Sequence, residues 1–282
     1  MNTKLRARLL LAVLLIVAAI IFCAGITWGL PSRDIDKYLF GDELVWSGEK
    51  IQQLAGDWTY DPTRGADVDI DPITDRNQVI CINETDEQRA EIIRRYRLYS
   101  YQPDEMITFR SLASMKPGEG DFDPKLYQYG GLWIYPVGVL LKIASWCGAI
   151  TLKADPVYYL DHPEEFGRFY IVARLYVVAW ALIGVWAVFA ITRRITDHSL
   201  FAATCAALCY MAMPVVINMA HEAKPHLPAA VLMLLAILSA MGYVNTGKRG
   251  WWIATGCLCG AAFGMVLSAL PIFIILPIMI LL

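Results

Sequence analysis

Leu9–Leu30 is a run of 22 residues without a charge, preceded by Lys4, Arg6 and Arg8, and no other feature limits the fold of this chain more. At about 1.5 Å of rise per residue, such a helix crosses a hydrocarbon core about 30 Å thick. A cleaved signal peptide has a shorter apolar region, ends in small residues and is not normally followed by further spans. The segment therefore reads as a retained first helix, with its N-terminus in the cytoplasm by the positive-inside rule.

Four more apolar stretches follow. Phe169–Thr192 is interrupted only by Arg174, Ser199–Ala220 and Pro225–Gly247 are uncharged, and Gly250–Leu282 runs 33 residues without a charge. The last is too long for one straight crossing at about 1.5 Å per residue. Pro271 and Pro277 are expected to break it and to open a further span. The chain ends in Ile278-Met279-Ile280-Leu281-Leu282 with no polar tail, so it is expected to be a fragment of a longer protein. Composition agrees with a membrane protein: 57% of residues are hydrophobic and 18% charged, where soluble domains hold about 45–50% and about 25%. Residues 31–130 carry 20 acidic and 12 basic groups, a local net of −8, which leaves 12 − 6 = +6 elsewhere. No concentrated basic face is present, which argues against nucleic acid as a partner.

Leu132–Leu152 decides the topology. It is apolar enough to span, yet carries Lys142 at its centre and Pro136 near its start. If it crossed, Arg193-Arg194 and Lys248-Arg249 would both lie outside. As a juxtamembrane helix on the outer surface it leaves both pairs in the cytoplasm. It also keeps Lys142 from the bilayer midplane, a placement that costs about 2.5–3.5 kcal/mol. The expected fold is an all-α, multi-pass integral membrane protein: residues 1–30 form the cytoplasmic N-terminus and first span, 31–168 a large extracytoplasmic loop with juxtamembrane helices, and 169–282 a bundle of about four to five spans.

Within the loop, residues 41–80 are rich in Gly, Asp and Pro and read as turns and short irregular pieces. Thr85-Asp86-Glu87-Gln88 matches a capping box and opens a helix through about Tyr99, with Ile92, Ile93, Tyr96 and Tyr99 on one face. Its arginines, Arg89, Arg94, Arg95 and Arg97, read as a solvated face, or as a surface for lipid phosphates or a phosphate-bearing substrate. Six of the seven cysteines lie in apolar segments and read as packing residues, leaving Cys81 in a polar loop. Asn83-Glu84-Thr85 is a glycosylation acceptor pattern.

Three groups of acids stand at the outer face: Asp34 and Asp36 beyond the first helix, Asp104 and Glu105 after the arginine-rich helix, and Glu222 between two spans in His221-Glu222-Ala223-Lys224-Pro225-His226. A carboxylate placed there can deprotonate an acceptor or bind a divalent ion that neutralises a phosphate leaving group. Two carboxylates from separate loops are the minimum for Mg²⁺ or Mn²⁺, which makes Asp104 and Glu222 the candidate ligands of a possible divalent cation.

Four local patterns carry a resemblance: Trp28-Gly29-Leu30-Pro31; Tyr101-Gln102-Pro103-Asp104-Glu105; Asp121-Phe122-Asp123-Pro124-Lys125-Leu126-Tyr127-Gln128-Tyr129 leading into the aromatic helix at Leu132–Pro136; and Ala220-His221-Glu222-Ala223-Lys224-Pro225-His226. With these the chain resembles the GT-C glycosyltransferases that use lipid-linked sugars, among them protein O-mannosyltransferases and aminoarabinose transferases. The resemblance implies an inverting transferase that takes sugar from a polyprenyl-phosphate donor, with membrane lipid around it and an acceptor of unknown kind. Asp104 matches the family's catalytic acid and Glu105 its partner. Glu222 matches the second-loop position facing the same cavity. Lys224 and Arg110 are candidate cations for the donor phosphate, His226 a candidate ligand or proton carrier, and Asp34 and Asp36 candidates to share substrate binding. Relatives usually carry the Pro-Asp-Glu soon after the first helix; here about 70 residues intervene, so either an extra outer subdomain is present or Asp34 and Asp36 share its role. Relatives often hold Asp where this chain has His226.

Two other classes stay open on the residues alone. One is a non-catalytic membrane protein whose acidic loop binds a partner or ligand. The other is a transporter, against which stands the clustering of ionisable residues in loops rather than at mid-membrane. Arg174, about one turn into its span, is expected to snorkel.

Overall fold

The computed structural model describes residues 3–56 and 85–282. Cys81, Asn83, Glu84 and most of the Gly- and Asp-rich stretch fall outside the described residues. Helices make up the regular structure, with no strands among the described residues, as expected for a helical membrane protein resembling the GT-C group.

The first helix, α1 (Thr3–Cys23), stops earlier than its apolar sequence does. Turns follow at residues 24–29, where Gly25 and Gly29 take positive φ, a conformation that ends an L-residue helix. Gly29 has a second constraint, since a Cβ there would lie 2.6 Å from Cβ of Tyr101. Beyond Pro31 come the short α2 (Asp36–Leu39) and α3 (Gly48–Ala55). Within the stretch 41–80, whose composition predicts irregular structure, α3 forms because Ser47 caps it, its hydroxyl accepting from the Lys50 amide, and Ile51 is fully buried.

The helix α4 (Asp86–Leu98) has both bonds of the expected capping box and ends at Tyr99. Its buried face differs from the expectation. Ile93 is buried, but Ile92 and Tyr96 are exposed, and Arg94 and Arg97 take the inner positions. Arg97 forms a bidentate pair with Asp36 (both oxygens 3.1 Å from Nη2) and donates to the Leu160 carbonyl at 2.9 Å. Arg94 meets Glu91, and Arg89 meets Glu43. Three of the four arginines thus bind oxygens of the chain itself, while Arg95 lies exposed over the Tyr99 ring.

Next come α5 (Glu105–Ser114), α6 (Gly131–Trp146) and α7 (Pro156–Asp161). Phe109 of α5 sits edge-on to Phe166, Phe169 and Tyr170, with centroids 4.8–6.2 Å apart. Trp133 of α6, fully buried, donates to the Thr108 hydroxyl at 3.0 Å and stacks on Tyr176. These rings lock α5 between α6 and the long helix α8 (Pro163–Ile195). One face of α6 packs inward through Trp133, Ile134, Val137 and Leu141, while Leu132, Tyr135, Val139, Ile143 and Trp146 are exposed. The helix thus carries one packed and one exposed apolar face.

The remaining helices are α9 (Leu200–Ala212), α10 (Pro214–Ala220), α11 (His226–Thr246), α12 (Arg249–Met265) and α13 (Ile275–Leu281). The expected single span Ser199–Ala220 is bent by 60° at Met213. Pro214 supplies the cause: its ring removes a donor and disfavours helical backbone at the residue before it. The long apolar C-terminal run breaks at Val266, which is extended, rather than at Pro271 or Pro277. There Tyr129 bridges Val266, and Gly130 donates to the Met265 carbonyl at 2.9 Å. A Cβ on Gly130 would fall 1.8 Å from the Gly264 carbonyl oxygen, so the two segments cross with no room for a side chain. Among the described residues three helices, α1, α8 and α11, are long and apolar enough to cross a membrane, or four if the bent α9–α10 pair counts as one.

Chain direction sorts the loops. The end of α1, the start of α8, the α10–α11 turn and the end of α12 lie together, tied by Arg174 to Ile26 and Trp28, His221 to Phe22, and Gly130 to Met265. Arg194 lies at the other end of α8, bonded to the Leu238 carbonyl with its guanidinium 6.0 Å from the Trp251 ring centre. The described loop residues, 31–56 and 85–162, therefore join the bundle at the end away from the basic pairs.

Candidate functional site

The α4–α5 turn and the α10–α11 turn meet where α1 stops. Pro103 and Asp104 open α5, but the Asp104 side chain makes no capping bond and projects from the helix start. Its Oδ2 accepts from Lys224 Nζ at 3.0 Å. The same ammonium lies 3.3 Å from Glu222 Oε2, and Glu222 Oε1 accepts from Gln102 Nε2 at 3.1 Å. Asp104 is half exposed while the Lys224 side chain is mostly covered, so the carboxylate stands at the mouth of the cluster and the ammonium behind it. Burial works against the charge on Lys224, but the bond to Asp104 and the charges of Glu222 and Asp104 outweigh it and raise its pKa above the ordinary lysine value.

Tyr129 and His226 complete the wall, their rings edge-on with centroids 5.9 Å apart. Burial raises the Tyr129 phenol, and the charges of Lys224, Asp104 and Glu222 all act on it. Sequence reasoning named Asp104, Glu222, Lys224 and His226, and the structure brings these four together; it did not find Tyr129 or Gln102.

Beneath the cluster lies a buried brace. Glu105 is fully buried and Arg174 nearly so. Arg174 donates from Nε to Glu105 Oε1 at 2.9 Å and from Nη2 to Oε2 at 2.6 Å, and from Nη1 to the carbonyls of Ile26 (2.7 Å) and Trp28 (3.0 Å). Glu105 also accepts from the Ala223 amide at 2.6 Å and from the Ser100 hydroxyl. One ion pair thus ties together the end of α1, the start of α5, α8 and the α10–α11 turn. Arg174 does not snorkel to solvent; it is held inside by four donors on fixed acceptors. Glu105, expected beside Asp104 in the chemistry, has both oxygens engaged and no exposure, which fits positioning rather than contact with a substrate. A signal for Arg174 was in the sequence, since an ionisable residue inside an apolar span is costly unless it has a partner.

Other expected residues lie apart. Asp36 is occupied by Arg97. Asp34, whose amide donates to the Ser32 hydroxyl, lines a separate cleft with Lys37 and Arg95. Arg110 lies over the Tyr99 ring, 5.8 Å from its centre. The candidate metal ligands Asp104 and Glu222 do not fit a cation, because the Lys224 ammonium holds the place between them. Among the described residues no three His, Cys, Asp or Glu side chains converge to hold one.

The amino-acid chain from α8 onward can be compared with known proteins. Residues 166–282 match the family model of dolichyl-phosphate-mannose-protein mannosyltransferases. No curated protein and no solved structure matches the chain. The matched stretch holds Arg174, Glu222, Lys224 and His226, while Asp104 and Glu105 lie before it and are bonded to it through Lys224, Arg174 and Ala223. The match makes this stretch similar to that mannosyltransferase family, and the apolar helices agree with an integral membrane protein.

Proposed function

We propose that this protein transfers a sugar from a polyprenyl-phosphate donor to an acceptor at the extracytoplasmic membrane face, with inversion, and that Asp104 is the general base. The observation that carries the reading is the Asp104–Lys224–Glu222 cluster at the end of an apolar bundle, braced from below by Glu105 and Arg174. A donor whose isoprenoid tail stays in lipid presents its phosphate and sugar at this depth. Lys224, kept charged, exchanges Asp104 for a phosphate oxygen when the donor binds, which frees Asp104 toward the acceptor.

The step balances within this site. Asp104 takes the acceptor proton as the acceptor heteroatom bonds to the anomeric carbon, and the carbon–oxygen bond to phosphate breaks with its electron pair on the departing polyprenyl phosphate. Lys224 offsets the charge that grows on that leaving group. Two reactants held beside one base also gain from proximity. Membrane orientation follows from charge: Arg6, Arg8, Arg194 and Arg249 belong to the bundle end away from the cluster, and basic residues favour the cytoplasmic side.

The test is sugar transfer in membranes that contain the protein, offered a panel of polyprenyl-phosphate sugars and read by mass spectrometry against membranes without it. Consumption of one donor with release of polyprenyl phosphate is the expected result. A folded, inserted protein that consumes none, alone and within whatever longer chain contains it, would refute the reading.

A further inference from the structure

Beside the cluster, on the loop domain, is a cleft of about 610 Å³ lined by Ser32, Asp34, Lys37, Tyr38, Arg95, Tyr96, Tyr99 and Tyr101, with Gly29 and Ser100 at its base. This volume falls in the range of small-molecule sites, about 300–1,000 Å³. Its lining differs from an ordinary surface depression in two respects. First, four tyrosines face one cleft, and Tyr38 (75% exposed) and Tyr101 (71%) leave most of their area to solvent. Exposed tyrosine combines an apolar ring with a polar edge, and it is a common anchor in recognition surfaces. Second, Lys37 and Arg95 both line the cleft, against the single acid Asp34, within a region whose net charge is −8.

Both cations rest on aromatic faces, Lys37 Nζ 4.8 Å from the Tyr38 ring centre and the Arg95 guanidinium 5.3 Å from that of Tyr99. They are thereby held toward the cleft. Apart from Leu30 the lining has no aliphatic side chain, so an apolar peptide anchor finds no pocket. Rings to stack on, hydroxyls to bond with and two cations suit a saccharide that carries an acidic group.

Position gives the cleft a use. The Gly29 carbonyl accepts from the Tyr101 amide at 2.7 Å, and the Trp28 and Tyr101 rings pack 4.6 Å apart. Tyr101 precedes Asp104 by three residues, at most about 11 Å of chain. A ligand lying in the cleft and over Tyr101 therefore lies within about 11 Å of chain of Asp104.

We infer that the cleft is an acceptor subsite for an acidic saccharide, with Arg95 and Lys37 binding its anionic groups and Tyr38, Tyr96 and Tyr101 stacking on its rings. Only the word acceptor rests on the proposed transferase; the binding site stands by itself. The experiment is tryptophan- and tyrosine-fluorescence titration of the purified full chain in detergent with tetragalacturonate, maltotetraose and a hexaglutamate peptide as probes. Tetragalacturonate is expected to bind at least about tenfold more tightly than either of the others, and to lose about tenfold or more on Arg95→Ala, Lys37→Ala or Tyr96→Ala. These three side chains are exposed, so the variants keep the fold, which the unchanged unfolding midpoint verifies. Equal binding of maltotetraose, preferred binding of the peptide, no binding of any probe, or variants that bind like the parent would each overturn the inference. Donor consumption measured on the same preparations separates this result from the fate of the transferase reading.

Discussion

Replacing Arg174 with Met removes four donated hydrogen bonds at once and leaves the fully buried Glu105 carboxylate with only the Ala223 amide and the Ser100 hydroxyl. Losing one member of a buried pair costs about 3–5 kcal/mol, chiefly because the other charge stays buried without its partner. The total stability of a domain is about 5–15 kcal/mol, so this single change should remove a large part of it. Glu105→Gln in the Arg174→Met background takes away the stranded charge while an amide oxygen still accepts from Ala223. The double variant should therefore be more stable than Arg174→Met alone, with a coupling of at least about 2 kcal/mol in the thermodynamic cycle, within the range for contacting residues. Lys at position 174 should not restore the parent, because it lacks the planar fork that meets Glu105 and two carbonyls together. Unfolding by SDS titration in mixed micelles measures all five proteins, with Glu105→Gln alone included to close the cycle. A cost below about 1 kcal/mol for Arg174→Met, the value of a solvent-exposed pair, would refute the reasoning.

Other consequences can be measured separately. Lys224→Gln should raise the KM for donor more than about tenfold, read from initial rates of polyprenyl phosphate release. Because the folded pKa of Lys224 is above its ordinary value, its contribution to stability is complete below the unfolded value of about 10.4 and fades as pH rises through the folded one. Melting curves from pH 8 to 11.5 should thus show a loss at the alkaline end that is smaller in Lys224→Gln. Gly130→Val should destabilise by several kcal/mol by forcing the loop off Gly264, visible as a lower unfolding midpoint. A cysteine at position 193 should react with impermeant maleimide only after the membrane is opened, whereas one at 142 should react from outside; the opposite pattern would reverse the orientation.

The sequence revealed local features and missed most distant ones, for physical reasons. The α4 capping box was legible because its partners are three residues apart and recur as a pattern. Lys142 and the basic pairs together suggest an interfacial placement for α6, which the cysteine-labelling experiment tests. The 60° bend at Met213 had a visible cause in Pro214, yet hydropathy averaged it away. Hidden from the sequence was the partner of each charge: Arg174 finds Glu105 across 69 residues, and Lys224 finds Asp104 across 120. Periodicity carries no record of such separations. Asp36 shows the same limit in reverse, since a loop acid that looked available to a substrate is consumed by Arg97. Glu222, Lys224 and His226 stand out in the sequence because they occupy a short polar loop between apolar runs, whereas Asp104 stands out through the Pro-Asp-Glu resemblance.

Asp104→Asn, which keeps shape and removes the base, addresses the chemistry without disturbing Glu105 or Arg174. Its kcat for sugar transfer from the polyprenyl-phosphate donor should fall by about 10²–10⁴, with donor KM changed little and membrane insertion intact. A variant that transfers sugar at the parental rate would contradict the assignment of Asp104 as the base and with it the reading of this cluster as a catalytic site.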